Sequence, residues 1–233
     1  MENLFFEYMN RRLGGMIPKT GQTQNLGPVI TISRQTGCGA SKIAFALCKR
    51  LNGKDFHDKN LNQWNYINRE ILQQSAEELN IDPDALKQIT TDKHRGVMDQ
   101  IVEAMSSHVY KSDQKIIKTI QDVIRRFARN GHCVIVGRGG AGLCDNIKRS
   151  LHIRLEAPTG WRIEFIMKEF GFSREFATDY IHKHDEEREH VVNKFYGNKH
   201  GNMVYDLVIN RSRFTEDEIV EAIIQLAVIK GVV

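Results

Sequence analysis

Residues 28–51, PVITISRQTGCGASKIAFALCKRL, hold the pattern that decides the fold. The run PVITIS (28–33) is apolar and rich in β-branched residues, which suits a strand buried on both faces. Gly37 and Gly39 then break the run. Beyond them Ile43, Ala44, Leu47, Cys48 and Leu51 recur at three- and four-residue spacing, so the chain continues as a helix with one buried face. Strand, glycine turn and helix in that order open a phosphate-binding α/β unit, in which backbone N–H groups curl around phosphate oxygens at the helix N-terminus. The full phosphate-loop pattern is G-x-x-x-x-G-K-[ST]. Laid over Arg34–Ser41, it keeps Gly39 and Ser41 but finds Arg34 in place of the first Gly and Ala40 in place of the Lys. That Lys normally offsets charge on the β- and γ-phosphates. Arg34 and Lys42 are the candidate substitutes, against the alternative that both are solvated surface charges. Ser41 retains the hydroxyl that a Mg²⁺ ion would use. Cys38 lies at the anion-binding turn, where its pKa is expected to fall.

Working outward, a second short strand is expected to end at Phe56-His57-Asp58. Residues 60–130 read as entirely helical, with Asp82-Pro83 as a helix start. CVIVG (133–137) and LHIRLEA (151–157) are apolar enough to be strands buried on both faces. Helical spacing runs from Pro158 to Lys194, with a stop at Gly171 and a restart at Ser173. YDLVIN (205–210) is the last expected strand, and Thr215–Glu218 spells a capping box opening a helix that buries Ile219, Ile223 and Leu226. Strands alternating with helices predict an α/β fold, a doubly wound parallel sheet of about five strands with ligands at the carboxyl ends. The block 60–130 is too long for one crossover and is expected to be a helical subdomain inserted between the second and third strands.

Composition narrows the function classes. The chain has 233 residues, 41% hydrophobic and 27% charged, a balance that excludes a fibrous or wholly disordered protein. A net charge of +4 is too small to indicate nucleic acid and suits a phosphate-bearing small ligand. The basic tip of Arg125, Arg126 and Arg129 holds only Phe127, a poor platform for stacked bases. Cys38, Cys48, Cys133 and Cys144 show no metal-ligand spacing, so they read as reduced thiols of a cytoplasmic protein. No stretch approaches the roughly 18 apolar residues of a membrane span. Residues 1–13 carry an apolar stripe of Leu4, Phe5, Tyr8 and Met9, and 14–27 (GGMIPKTGQTQNLG) read as a linker. Residues 1–27 are thus expected to be an arm that folds back on its own domain or onto a partner subunit in a homo-oligomer, with a membrane or partner anchor as the alternative.

SRQTGCGASKIAFALCKRL (33–51), FHDKNL, INREILQQSAEEL, VIVGRGG, the long stretch HIRLEAPTGWRIEF to KFYG, and YDLVIN together resemble the cytidylate kinase-like group of nucleoside monophosphate kinases, over roughly residues 28–225. The resemblance implies a P-loop NTPase-type core with a helical acceptor-binding insert (60–130) and a lid (about 158–200). It implies ATP and Mg²⁺ as cofactors and a small-molecule nucleotide, CMP or dCMP favoured, as acceptor, with neither nucleic acid nor membrane as partner. Arg34 and the run from Gly37 through Cys38, Gly39, Ala40 and Ser41 to Lys42 would then hold the ATP phosphates, with Ser41 also serving the metal. Asp58, Arg138 and Asp185 would bind the acceptor, while Arg162, Arg188 and Lys194 would stabilise the transferring phosphoryl group. Gly139 replaces the Asp that follows the arginine in classical members, and Ile181 replaces an Arg four residues before Asp185. These departures and Ala40 keep two alternatives open: a nucleotide-binding regulatory protein that has lost turnover, and a kinase of another small metabolite.

Overall fold

The computed structural model describes residues 27–53, 63–67, 121, 124, 125, 127–196 and 204–233, with only the backbone for 187 and 189–196. Among these residues five strands form one sheet: β1 (Val29–Arg34), β2 (Asn65–Ile67), β3 (Cys133–Val136), β4 (Ser150–Glu156) and β5 (Leu207–Asn210). All pairings are parallel and the order is β2-β3-β1-β4-β5. The central strand β1 sets Val29 beside Cys133 on one side and Ser150 on the other. Its Val and Ile residues are buried because helices cover both faces, as a parallel sheet requires. The chain leaves β1 for β2 on one side and later crosses to β4 on the other. The carboxyl ends of β1 and β3 therefore bound the crevice where such sheets bind ligands.

Among the described residues the α-helices are α1 (Ala40–Leu51), α2 (Gly140–Leu143), α3 (Thr159–Phe170), α4 (Arg174–Tyr196) and α5 (Glu216–Ile229). One core packs Ile43, Ala44, Leu47 and Cys48 of α1, and Ile219, Val220 and Ile223 of α5, against Ile30, Ile32, Leu151, Ile153 and Leu155. The opposite face packs Val29, Ile67 and Ile135 with Ile124, Phe127, Cys144 and Ile147. A third, small cluster joins α3 to α4 through Ile163, Ile166, Ala177 and Ile181. Gly171 ends α3 with φ 70, the left-handed cap that glycine adopts without strain. The capping box at Thr215 opens α5, with the Thr215 hydroxyl accepting from Glu218 N. Between β1 and β4, His152 is buried with Nδ1 2.9 Å from Thr31 Oγ1 and Nε2 3.1 Å from Ser150 Oγ.

Three expectations are corrected or bounded. Asn65–Ile67 is a strand inside the block read as wholly helical, because it pairs with β3 as an edge strand. The strand end expected at Phe56–Asp58, the helix start at Asp82-Pro83 and the arm lie outside the described residues. Leu226 packs only partly against the core, because the buried face of α5 runs through Ile219, Val220, Ile223 and Ala227.

Candidate active site

At the end of β1 the chain turns through Gln35-Thr36-Gly37-Cys38-Gly39. Gln35 extends the sheet, its N–H donating to Leu155 O at 3.0 Å, and its Oε1 accepts from Ala157 N at 3.0 Å. Gly37 (φ 86) and Gly39 (φ 67) take left-handed conformations that strain other residues. α3 lies close over the turn: a Cβ on Gly37 would meet Arg162 O at 3.0 Å, and one on Gly39 would meet Phe165 Cζ at 3.2 Å. α1 starts at Gly39 with no capping side chain and no acidic residue in its first turn. Its terminal amides and positive dipole end suit an anion such as a phosphate. Ser41 is exposed in that first turn.

The turn is braced from behind by an ionic cluster. Arg162 of α3 is 5% exposed. Its Nε donates to Ala157 O at 3.0 Å, Nη1 to Thr36 O at 3.2 Å and to Asp185 Oδ2 at 2.5 Å, and Nη2 to Thr159 Oγ1 at 3.2 Å. Asp185 of α4 accepts at Oδ1 from both the N–H and the hydroxyl of Thr36, each at 2.7 Å. Arg188 Nη1 donates to Thr36 Oγ1 and lies 3.6 Å from Asp185 Oδ1. Burial alone would raise the Asp185 pKa, but the two Thr36 donors and Arg162 outweigh it and hold the carboxyl below its ordinary value. The structure thus brings Arg162, Asp185 and Arg188 together on one residue, Thr36. Nothing in the sequence pattern singled out that threonine.

The other expected residues are dispersed. Lys42 is exposed and donates to Glu169 of α3 at 2.7 Å. Arg34 ends β1 and reaches toward Gly137, just beyond β3. Arg138 follows β3, half-buried, with φ 59. Asp58 lies outside the described residues, as does the side chain of Lys194. Cys38 is corrected: it is fully buried, and burial pushes its thiol up to about 11, overriding the nearby Arg162 charge. Ile181 is 1% exposed and packs in the α3–α4 cluster, so this position serves the hairpin core. The sequence reading also missed Trp161, Phe165 and Arg211. The two rings stack with centroids 5.4 Å apart, and Arg211 Cζ stands 5.4 Å from the Trp161 centroid. Their signal was the one-turn spacing of two aromatics directly after Pro158.

Residues 29–213 match the cytidylate kinase-like family. The chain belongs to that family. Its P-loop NTPase-type sheet, glycine turn and flanking helices are those of a nucleotide-binding, kinase-like phosphotransferase fold. Among solved structures, an uncharacterized protein from Eubacterium ventriosum has the same fold, with TM-score 0.61 and 18% identity over 86% of this chain and 97% of that one. A shikimate kinase from Bacteroides thetaiotaomicron aligns with TM-score 0.46 and 14% identity, over 85% of this chain and 97% of that one. A segment of 123 residues is 28% identical to a uronate isomerase from Corynebacterium glutamicum, spanning 52% of this family member and 23% of that protein. Among the described residues of this family member, no helix is long and apolar enough to cross a membrane.

Proposed function

We propose that the chain catalyses Mg²⁺-dependent transfer of the γ-phosphoryl group of ATP to a nucleoside monophosphate, with CMP or dCMP as the favoured acceptor. The observation that carries this reading is the uncapped start of α1 at a glycine turn, with arginines at the ends of β1 and β3 beside it. Phosphoryl transfer spreads negative charge over equatorial oxygens, so the protein's task is positioning and charge stabilisation. Arginine suits that task because its planar fork pairs two oxygens and keeps its charge. An acceptor phosphate oxygen is already a nucleophile, so no general base is required. The turn from Gly37 to Lys42 holds the ATP phosphates, while Arg138 takes the acceptor phosphate. Arg162, Asp185 and Arg188 fix the shape of the turn through Thr36. By family resemblance, Asp58 and Lys194 complete the acceptor pocket and the lid. A Mg²⁺ ion bound with ATP supplies charge at the phosphates, and the Ser41 hydroxyl is the group that would hold it. Closure of the α3–α4 hairpin excludes water from the reaction. The four thiols, all free and buried, suit a reducing cytoplasm, and the arm of residues 1–27 is the segment we propose for self-association.

A second reading has its own observation. Ala40 stands where the loop lysine belongs, and Lys42 pairs with Glu169 instead of the turn. A nucleotide-binding regulatory protein without turnover fits those facts. The experiment is ADP release from Mg²⁺-ATP with CMP, dCMP, UMP, AMP and GMP supplied separately, beside an Arg138→Gly control. Glycine is chosen because it accepts the positive φ at that position without strain. Acceptor-dependent release that the control abolishes supports the kinase. ATP binding with no release under any acceptor favours the regulatory protein.

A further inference from the structure

The arginine that replaces the first loop glycine has a place of its own in the structure. β1 lies between β3 and β4, and its last residue, Arg34, pairs with Leu155 of β4 while its side chain reaches Gly137 beyond β3. Gln35 goes to the β4 side, bonded to Leu155 O and Ala157 N. Arg34 goes to the β3 side, where its guanidinium fills the space a side chain on Gly137 would occupy. A Cβ on Gly137 would sit 3.0 Å from Arg34 Cζ and 3.6 Å from Nη2, with Nη1 closer still. The Gly137 N–H donates to Ile32 O at 3.0 Å, which fixes that backbone against β1. Gly137, Arg138 and Gly139 then take φ of 72, 59 and 64, and Gly140 N closes the turn on Gly137 O at 2.9 Å. Arg138 is one of two non-glycine residues with positive φ among those described, a conformation that costs roughly 1–2 kcal/mol and is kept where the surroundings impose it.

We propose that Arg34 is a specificity-determining residue on the acceptor side of the crevice, binding with Arg138 the anionic end of the acceptor, and that Gly137 is the positioning residue that leaves room for it. This rests on the phosphotransferase reading. The guanidinium of Arg34 lies against Gly137, just beyond β3, whereas Arg162 of α3 and Asp185 of α4 brace the phosphate turn at Thr36. This placement assigns it to the acceptor rather than to the place of the missing loop lysine. Two planar forks carried at the ends of β1 and β3 would select a group with several oxygens and at least two negative charges, which a phosphate monoester supplies.

The test is calorimetric titration of CMP and of inorganic phosphate into the full chain saturated with a non-hydrolysable ATP analogue, compared with titration of the analogue alone. Arg34→Ala is expected to weaken CMP and phosphate about 10- to 100-fold while changing analogue affinity less than about threefold. Arg34→Lys should recover part of the loss, which a purely structural role would not reproduce. Gly137→Ala, checked for a wild-type melting transition, should copy the acceptor defect with Arg34 still present. Unchanged phosphate binding in Arg34→Ala, or a loss confined to the ATP analogue, would overturn the assignment. So would a wild-type protein that binds no phosphate beside the analogue. Absence of turnover with every monophosphate would contradict the kinase reading alone, and the phosphate titration would still decide Arg34.

Discussion

Arg162 is enclosed by the groups it bonds, and replacing it leaves the half-buried Asp185 with only the more distant Arg188 and takes the Arg162 donors from two carbonyls. Arg162→Ala is therefore expected to cost about 2–4 kcal/mol, read as a drop in melting temperature of about 5–15 °C. A loss under about 2 °C would show that the brace is dispensable. Lysine should not rescue it, since one ammonium cannot reach Ala157, Thr36 and Asp185 together. The second residue to test is His152, bonded on both ring nitrogens to Thr31 and Ser150. Burial pushes its pKa below the ordinary 6.5, helped by Lys230 and opposed by Asp206 and Asp145. The unfolded chain binds a proton near 6.5 and the folded one only at lower pH, so this contribution is complete above 6.5 and is lost as pH falls below it. Urea midpoints between pH 7.5 and 5.5 should fall more steeply for the wild type than for His152→Gln. Parallel slopes would refute the assignment. Asp185 acts in a different window, because its depressed pKa gives stability that is present above 3.8 and lost in stronger acid.

At the scale of elements, α4 meets the phosphate turn at Thr36. Asp185 and Arg188 lie three apart on one helix face and meet Thr36, while Ala177 and Ile181 pack toward α3. Removing the carboxylate with Asp185→Ala should raise amide exchange at Thr36–Ser41 about 10- to 100-fold while leaving β1 protected, measured by hydrogen-exchange mass spectrometry. Equal protection in the variant would mean that the turn holds its shape without α4. The same contacts show what a sequence can disclose. β1, β3, β4 and α1 were legible because burial on both faces or on one stripe leaves a periodic apolar pattern. β2 left none: it is NYI, and only Ile67 is buried. The approach to it is held from afar, with Asn52 Nδ2 donating to Trp64 O at 2.8 Å and Oδ1 accepting from Trp64 N at 2.7 Å. Thr36 was silent for the same reason, since one threonine in a turn has no period and its partners stand 126 to 152 positions away.

Over the whole molecule, the alternation of strands and helices was readable, but the order β2-β3-β1-β4-β5 joins segments too distant for any local pattern to register. The match to the family ends at residue 213, before α5 begins, which makes the last helix look dispensable. The packing says otherwise. Ile219, Val220, Ile223 and Val232 are each at most 1% exposed, and they close one face of the sheet over Ile30, Ile32, Leu151 and Ile153. Burying four such side chains contributes about 6–12 kcal/mol, the same size as the total stability of about 5–15 kcal/mol that a domain possesses. α5 is also tied in at both ends. Arg211 bonds Phe214 O and Glu216 at its start, and Arg149 donates to the carbonyls of Gly231 and Val232 at its finish. A chain cut after Arg213 is therefore expected to lose its cooperative unfolding transition and to bind hydrophobic dyes as an expanded state, observed by near-ultraviolet circular dichroism and calorimetry. A truncated chain that melts cooperatively within about 5 °C of the full one would show that the sheet closes without α5.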